Sequence, residues 1–504
     1  MPADGLRHRL EYLFMSTKGL VLMAIGIIAL VTVVWGTLSG PMAEWGVKDV
    51  VVDLLGMDLV HAEREGRLVM LYHTIAMAMV AITVYLITDN VKIRRANAAM
   101  INSTVTAGYL ISMFFGLGYA YFGHNQTYHG LYLLGMSLVF YAGILLAIAL
   151  WPWRDEFRLS GNSPYARTRS GIDLERTAIW ATVVAALGSA ALGAWAGSHY
   201  GSGFNTFLAE DTIRLPIKGP LELAVIGHLH IMLALIGIAI TLVIGRWFDF
   251  KGILHRISMP SMIIGTVVLT LGAWAVVPYQ EIAHWIIYAG ASFSMLAALF
   301  MVIYGLPKIV HERLREQGLD RATLWQKAMA LLHDPLRFGS LWQMIFMNFN
   351  VSFVGIFMAV KLDELFRVWP HREERIELTG HWHILSALIA TIVLLYFADR
   401  IGLKGRVRQV FGWSVILGSD IAFGAITVFE MKRLFVSEYT QQYLVNTLML
   451  MADFGLALVL LATGGLLVWR LVDLVTPRGL WSRIDESVPD VTVTMDSSQQ
   501  GVTQ

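Results

Sequence analysis

Five histidines carry the chemistry that this chain has to offer: His73, His228, His230, His381 and His383, each inside a long apolar run. They recur in a common setting. Tyr72-His73-Thr74-Ile75, Leu229-His230-Ile231-Met232 and Trp382-His383-Ile384-Leu385 open alike, and Gly227-His228-Leu229-His230 matches Gly380-His381-Trp382-His383 more closely still. The offsets between the motifs are 157 and 153 residues, and a basic patch follows each, around Lys92, Arg246 and Arg400. An ionisable side chain inside a bilayer is costly and marks a functional position by default. The milder reading is a set of interhelical hydrogen bonds. Neutral imidazole is the usual axial ligand of b-type haem, because one nitrogen binds iron while the other donates to a group that fixes the ring. On a helix, positions i and i+2 point about 200° apart. His228 and His230 therefore serve two sites on opposite sides of one span, and so do His381 and His383. A span between two cofactors holds them close enough to exchange electrons.

The elements that must position these residues follow from composition. Of 504 residues, 56% are hydrophobic and 15% charged, where a soluble domain has about a quarter charged. A soluble enzyme and a disordered chain are excluded. Cysteine is absent, which rules out disulfides, thiolate metal sites, iron–sulfur clusters and covalent c-type haem. Any metal must be held by His, Met, carboxylate or backbone groups. Apolar runs of about 20 residues start near Gly19, Arg67, Ala99, Tyr128, Arg176, Leu221, Pro260, Ile282, Trp342, Ile376, Val410 and Leu444. The fold class expected is an all-α integral membrane protein of about twelve transmembrane helices in three pseudo-repeated four-helix arcs. The runs are too continuously apolar for the alternation of a barrel.

Placing the amino terminus inside puts 27 of the 38 Lys and Arg in the inner segments, as the positive-inside rule asks. Both termini are then cytoplasmic, in a bacterial inner membrane, and the five histidines form one layer within about two turns of the outer surface. Residues 1–476 read as one transmembrane haem-binding domain and 477–504 as a mobile cytoplasmic tail. Three hydrophilic stretches, Ala43 to Gly66, Gly201 to Pro220 and Pro307 to Ser340, are long enough to hold structure, the last a surface helix.

Other titratable residues have plainer readings. His129 and His284 open spans beside aromatic residues that serve as membrane anchors. His61, His124, His199 and His371 lie at the outer loops, and His8, His255, His311 and His333 inside, far from the layer. The outer basic residues Arg67, Arg214, Lys218, Arg367, Arg372 and Arg375 are loop charges or partners for haem carboxylates. Glu222 and Glu377 suit the amino ends of their helices. Asp420 and Asp453 are intramembrane acids that relay protons or accept hydrogen bonds from Ser419, Asn348 or Asn350. Phosphate loops, nucleophile triads and nucleic-acid motifs are missing.

Twelve spans in three arcs, a His on span two and a His-x-His pair on span ten resemble the catalytic subunit of the haem–copper oxidase and nitric oxide reductase superfamily. The resemblance implies a b-haem oxidoreductase of the respiratory chain, of the cytochrome c oxidase subunit I type, with two haems b near the outer face. By that likeness His383 and His73 clamp a low-spin haem, His381 holds a high-spin haem, and His228 helps to hold a second metal, copper or non-haem iron. His381 and His228 are then the catalytic pair. The likeness also implies a c-type cytochrome or other periplasmic redox subunit as partner, beside membrane lipid. Two features depart from the family: span seven, about residues 260–277, has no His where the family has two, and span six reads Gly227-His228-Leu229-His230. Three imidazoles for copper are lacking. His230 facing the His381 site would instead close a second six-coordinate haem, giving an electron-transfer subunit. The remaining alternative is a non-haem transporter.

Overall fold

In a bilayer the backbone must satisfy its own hydrogen bonds, and apolar runs of about 20 residues do so as helices. The computed structural model describes residues 3–38, 43, 45–199, 219–319, 321–361, 364 and 371–475, and within these the side chains of 3–8, 65, 349–351, 359, 371–382, 438–439, 442 and 474–475 are outside the described set. The stretch 201–218 and the tail 477–504, with their expected roles, lie outside the described residues.

In chain order the helices are α1 (Ala3–Met15), α2 (Thr17–Gly36), α3 (Val47–Leu55), α4 (Arg64–Asn90), α5 (Arg95–Tyr121), α6 (Gln126–Leu150), α7 (Leu174–Ser198) and α8 (Pro220–Trp247). They continue with α9 (Ile253–Ala275), α10 (Gln280–Glu316), α11 (Leu324–Leu332), α12 (Pro335–Ile345), α13 (Ser352–Val360), α14 (His371–Arg400), α15 (Gly405–Phe435) and α16 (Glu438–Val475). Twelve spans are long and apolar enough to cross a membrane: α2, α4 to α10, α12 joined to α13, and α14 to α16. The protein is an all-α integral membrane protein. Among the described residues the only β feature is one isolated bridge, Arg167 to Asp173.

Helix ends carry their own signals. Ser16 accepts from Gly19 N at 3.0 Å, Asn125 from Thr127 N at 2.7 Å and Asp173 from Glu175 N at 2.9 Å, each satisfying a backbone donor that the helix leaves open. Pro220 opens α8, and Glu222 Oε2 accepts from Gly219 N at 2.5 Å, the amino-end role expected of that acid. The seventh span departs from expectation. It begins at Ile253 and encloses Pro260, since a membrane helix tolerates proline when neighbouring groups take up the freed backbone. Pro307 likewise lies within α10, which runs on to Glu316. The expected surface helix is therefore shorter than its hydrophilic stretch: it is α11, opened by Thr323 and Gln326 bonding each other's backbone nitrogens at 2.8 and 3.2 Å.

The packing repeats every four spans. Within the arcs α5 lies on α6, α9 on α10 and α15 on α16, and α7 on α6, α12 on α10 and α2 on α16 join arc to arc. Glycine makes the first three contacts close. A Cβ at Gly108 would stand 3.0 Å from Gly135 O, one at Gly265 3.0 Å from Gly290 O, and one at Gly418 2.7 Å from Gly455 O. Few real Cβ atoms approach so near, and small residues are what let membrane helices pack backbone to backbone. Gly108, Gly265 and Gly418 are separated by the same 157 and 153 residues as the histidines, so the repeat extends from sequence into helix contacts.

The histidine-bearing helices α4, α8 and α14 are the inner column. Of their spans, α4 and α14 are the most enclosed, 67% and 61% buried against 17% for α16. Their far ends are laced together. Arg246 donates to Asn90 O at 2.6 Å and to Glu175 at 2.9 Å, Arg400 to Asp89 at 2.6 Å and Trp247 to Asp399 at 2.9 Å. Asp89, Arg246 and Asp399 again keep the two offsets. At this basic end the α6–α7 loop docks on the α8–α9 loop: Tyr165 donates to Asp249 at 2.6 Å, a bond that together with burial pushes its phenol up to about 12. Ala166 N donates to His255 Nδ1 at 2.9 Å, which makes His255 a residue of that joint.

Candidate functional site: a layer of imidazoles

His73 and His228 meet in the interior. Their ring centroids are 6.5 Å apart with planes at 85°, where α8 packs on α4. Each ring is held from behind by a different helix. Ser189 O on α7 lies 2.8 Å from His228 Nδ1; a carbonyl only accepts, so in the neutral ring Nδ1 carries the proton and Nε2 keeps its lone pair. Tyr132 on α6 lies 2.5 Å from His73 Nδ1 through its hydroxyl; a phenol donates or accepts, so this bond holds the ring in place without fixing which nitrogen carries the proton. Trp274 on α9 steadies the support, donating to Ser189 Oγ at 3.1 Å. Gly193 is where α7 passes the imidazole: a Cβ there would stand 2.5 Å from His228 Nδ1.

His230 takes the other side of α8, as the i, i+2 geometry requires. Its Nδ1 donates to Ile226 O at 2.8 Å. Its electrostatic neighbour among the described residues is His284 on α10, whose ring stacks on Tyr288 at 6.3 Å. The expectation that His230 faces the His381 site falls on a side chain outside the described residues. His383 has Tyr72 against it, ring centroids 4.6 Å apart. His73 therefore has His228 as its ring neighbour, and Tyr72, one residue earlier, reaches α14 instead. The side chain of His381 lies outside the described residues.

Tyr72 and His230 lie deep among protein atoms, yet Tyr72 keeps 45% of its surface uncovered and His230 is exposed. The other histidines have local duties. His124 lies 3.3 Å from Glu63 and stacks on Tyr119, so it is tied rather than solvated, and His129 borders the same tyrosine at 5.2 Å. Arg67 is buried and donates to Val60 O at 2.5 Å, so it is a structural cation and not a loop charge.

Among the described residues no three of His, Asp and Glu converge as metal-holding groups. The layer presents imidazoles in pairs. No family model and no curated protein matches this chain.

Sequence reasoning missed Tyr132, Ser189, Gly193 and Trp274, all of which act on His73 or His228. Only Tyr132 left a trace, as a phenol inside an apolar run. Its loss is measurable: Tyr132→Phe removes the group that fixes His73, and such second-layer partners are worth about 10–100-fold in metal affinity. Should the layer hold a metal cofactor, its retention on dilution is expected to fall by about tenfold with an unchanged helical circular dichroism spectrum.

Proposed function

We propose that this protein is a membrane b-haem electron carrier whose histidine layer holds iron porphyrin between spans, in an arrangement similar to that of the haem–copper oxidase superfamily. The observation that supports it best is the closeness of His73 and His228, with ring centroids 6.5 Å apart and each Nδ1 engaged by a residue of another helix. A pair of imidazoles suits haem because the porphyrin supplies the other four ligands, whereas copper held by protein alone would need a third.

Bound haem supplies a one-electron couple. The chain does the rest. His73 and His228 would hold the iron, with Tyr132 and Ser189 orienting the two rings. Met77, Ile231 and Leu235, buried a turn or so below on the two helices, exclude water, which favours the less charged, reduced form of the centre. His383 and His381 on α14 would be candidate ligands for a second haem. With both axial positions taken by protein, the reading favours electron transfer over reduction of oxygen or nitric oxide, with a c-type cytochrome or similar redox subunit as donor at the histidine end.

The test is the reduced-minus-oxidised spectrum of full-length protein purified from cells with ample haem. We expect b-type bands. A colourless protein with the same helical content overturns the reading and favours a transporter.

A further inference from the structure

A polar cluster in the third arc takes no part in the histidine layer. Asp420, within the membrane-spanning part of α15, accepts from Trp342 Nε1 at 2.9 Å and from Gln343 Nε2 at 3.0 Å, both on α12. The same amide nitrogen donates to Ser419 Oγ at 2.8 Å, and that hydroxyl donates onward to Val415 O at 2.7 Å. Gln343 is wholly buried, and its Oε1 has no hydrogen-bond partner. Buried acceptors without a donor are rare and ask for a reason.

A carboxamide offers a donor and an acceptor on opposite sides of one bond, exchanged by a half-turn. With Asp420 ionised, the amide nitrogen faces it and the oxygen waits without a donor, as observed. With Asp420 protonated, the turned amide brings its oxygen to the acid O–H. The next turn of this span, Phe346–Val351, is π-helical, a rare form that occurs often at functional sites. It carries Asn348, whose amide donates to Met344 O at 2.7 Å, and is followed by Ser352, whose hydroxyl donates to Met347 O at 3.0 Å. These continue the polar positions along the span from the basic end toward the end where the histidines lie.

We propose that Asp420 is a proton-binding site inside the membrane, with the Gln343 amide turning over to bond the charged and the neutral carboxyl in turn. The proton arrives at Oδ1 and leaves from the same oxygen, so the step changes only the charge of Asp420. Trp342 and Gln343 are the groups that act on Asp420 among the described residues. Neither titrates. Asp453 on the packed α16 and Tyr396 and His383 on the packed α14 have no electrostatic interaction with it.

The inference does not rest on haem, and its test needs none: infrared difference spectra of the full-length protein in lipid nanodiscs, titrated from about pH 5 to about pH 10. The wild type should show a deuterium-sensitive carboxylic-acid C=O band that titrates, with a side-chain amide C=O change in step with it. Asp420→Asn should lose both signals, Gln343→Met should lose the amide change and keep the acid band, and Asp420→Glu should keep an acid band at a shifted frequency. The last variant also guards against a misfolded Asn protein. A band that survives Asp420→Asn, an acid band unaccompanied by an amide change, or a signal that follows sodium rather than pH would overturn the proposal.

Discussion

His73→Ala should purify with less than about a hundredth of the wild-type haem affinity, and its Soret absorbance should vanish on a single gel-filtration step. The residue is central because it lies between two helices that the chain brings together from far apart, with Tyr132 behind it and His228 before it. On the proposed function, removing the ring takes away an iron ligand; it also leaves the Tyr132 hydroxyl without its partner, which costs about 1–3 kcal/mol in the folded protein. His228→Ala should give the same loss of colour, because two axial ligands act as a unit. His230→Ala, on the opposite side of α8, should retain this haem. Iron content and the pyridine haemochrome of the three purified variants decide the matter, and equal loss in all three would show that α8 does not divide two sites.

The second large effect concerns the scaffold. Gly418→Val places a Cβ 2.7 Å from Gly455 O on the facing helix, with Val459 and Leu458 side chains also within 3.2 Å. Backbone cannot give way as a flexible side chain does, so α15 and α16 must separate along their length. We expect a loss of about 3 kcal/mol or more, at the upper end for overpacked sites, seen as a large fall in the thermal midpoint in detergent and poor recovery of monodisperse protein. Gly424→Val on the same helix is the control, because a Cβ there meets nothing within 4 Å. The equivalent Gly108→Val and Gly265→Val should resemble Gly418→Val. If Gly424→Val proved as harmful as Gly418→Val, helix propensity and not close packing would be responsible.

The twelve spans were readable because a bilayer allows a long apolar run little except a helix. Boundaries were less so. Pro260 and Pro307 look like stops in a soluble chain, yet both lie inside spans, because the surrounding protein supplies what proline takes away. The divergence of His228 and His230 follows from helix geometry alone and appears as derived. Which residue of span two meets which neighbour does not follow. A rotation of one residue, about 100°, decides whether position 72 or 73 faces α14, and that rotation is set by contacts such as Gly116 against Thr74 and Tyr132. The supporting atoms of the site, Ser189 O among them, were beyond reach because a backbone carbonyl has no signature in sequence. The glycines of the arc contacts were within reach: Gly108, Gly265 and Gly418 keep the histidine offsets, and a search for repeats of small residues would have found them.

Haem held by His73 and His228, as proposed, has a definite iron coordination. Low-temperature electron paramagnetic resonance and near-infrared magnetic circular dichroism of the oxidised full-length protein report it directly. The account predicts a low-spin ferric haem with two imidazole ligands, lost in His73→Ala and in His228→Ala. A high-spin ferric haem that binds carbon monoxide once reduced, or an iron-free protein, would contradict it.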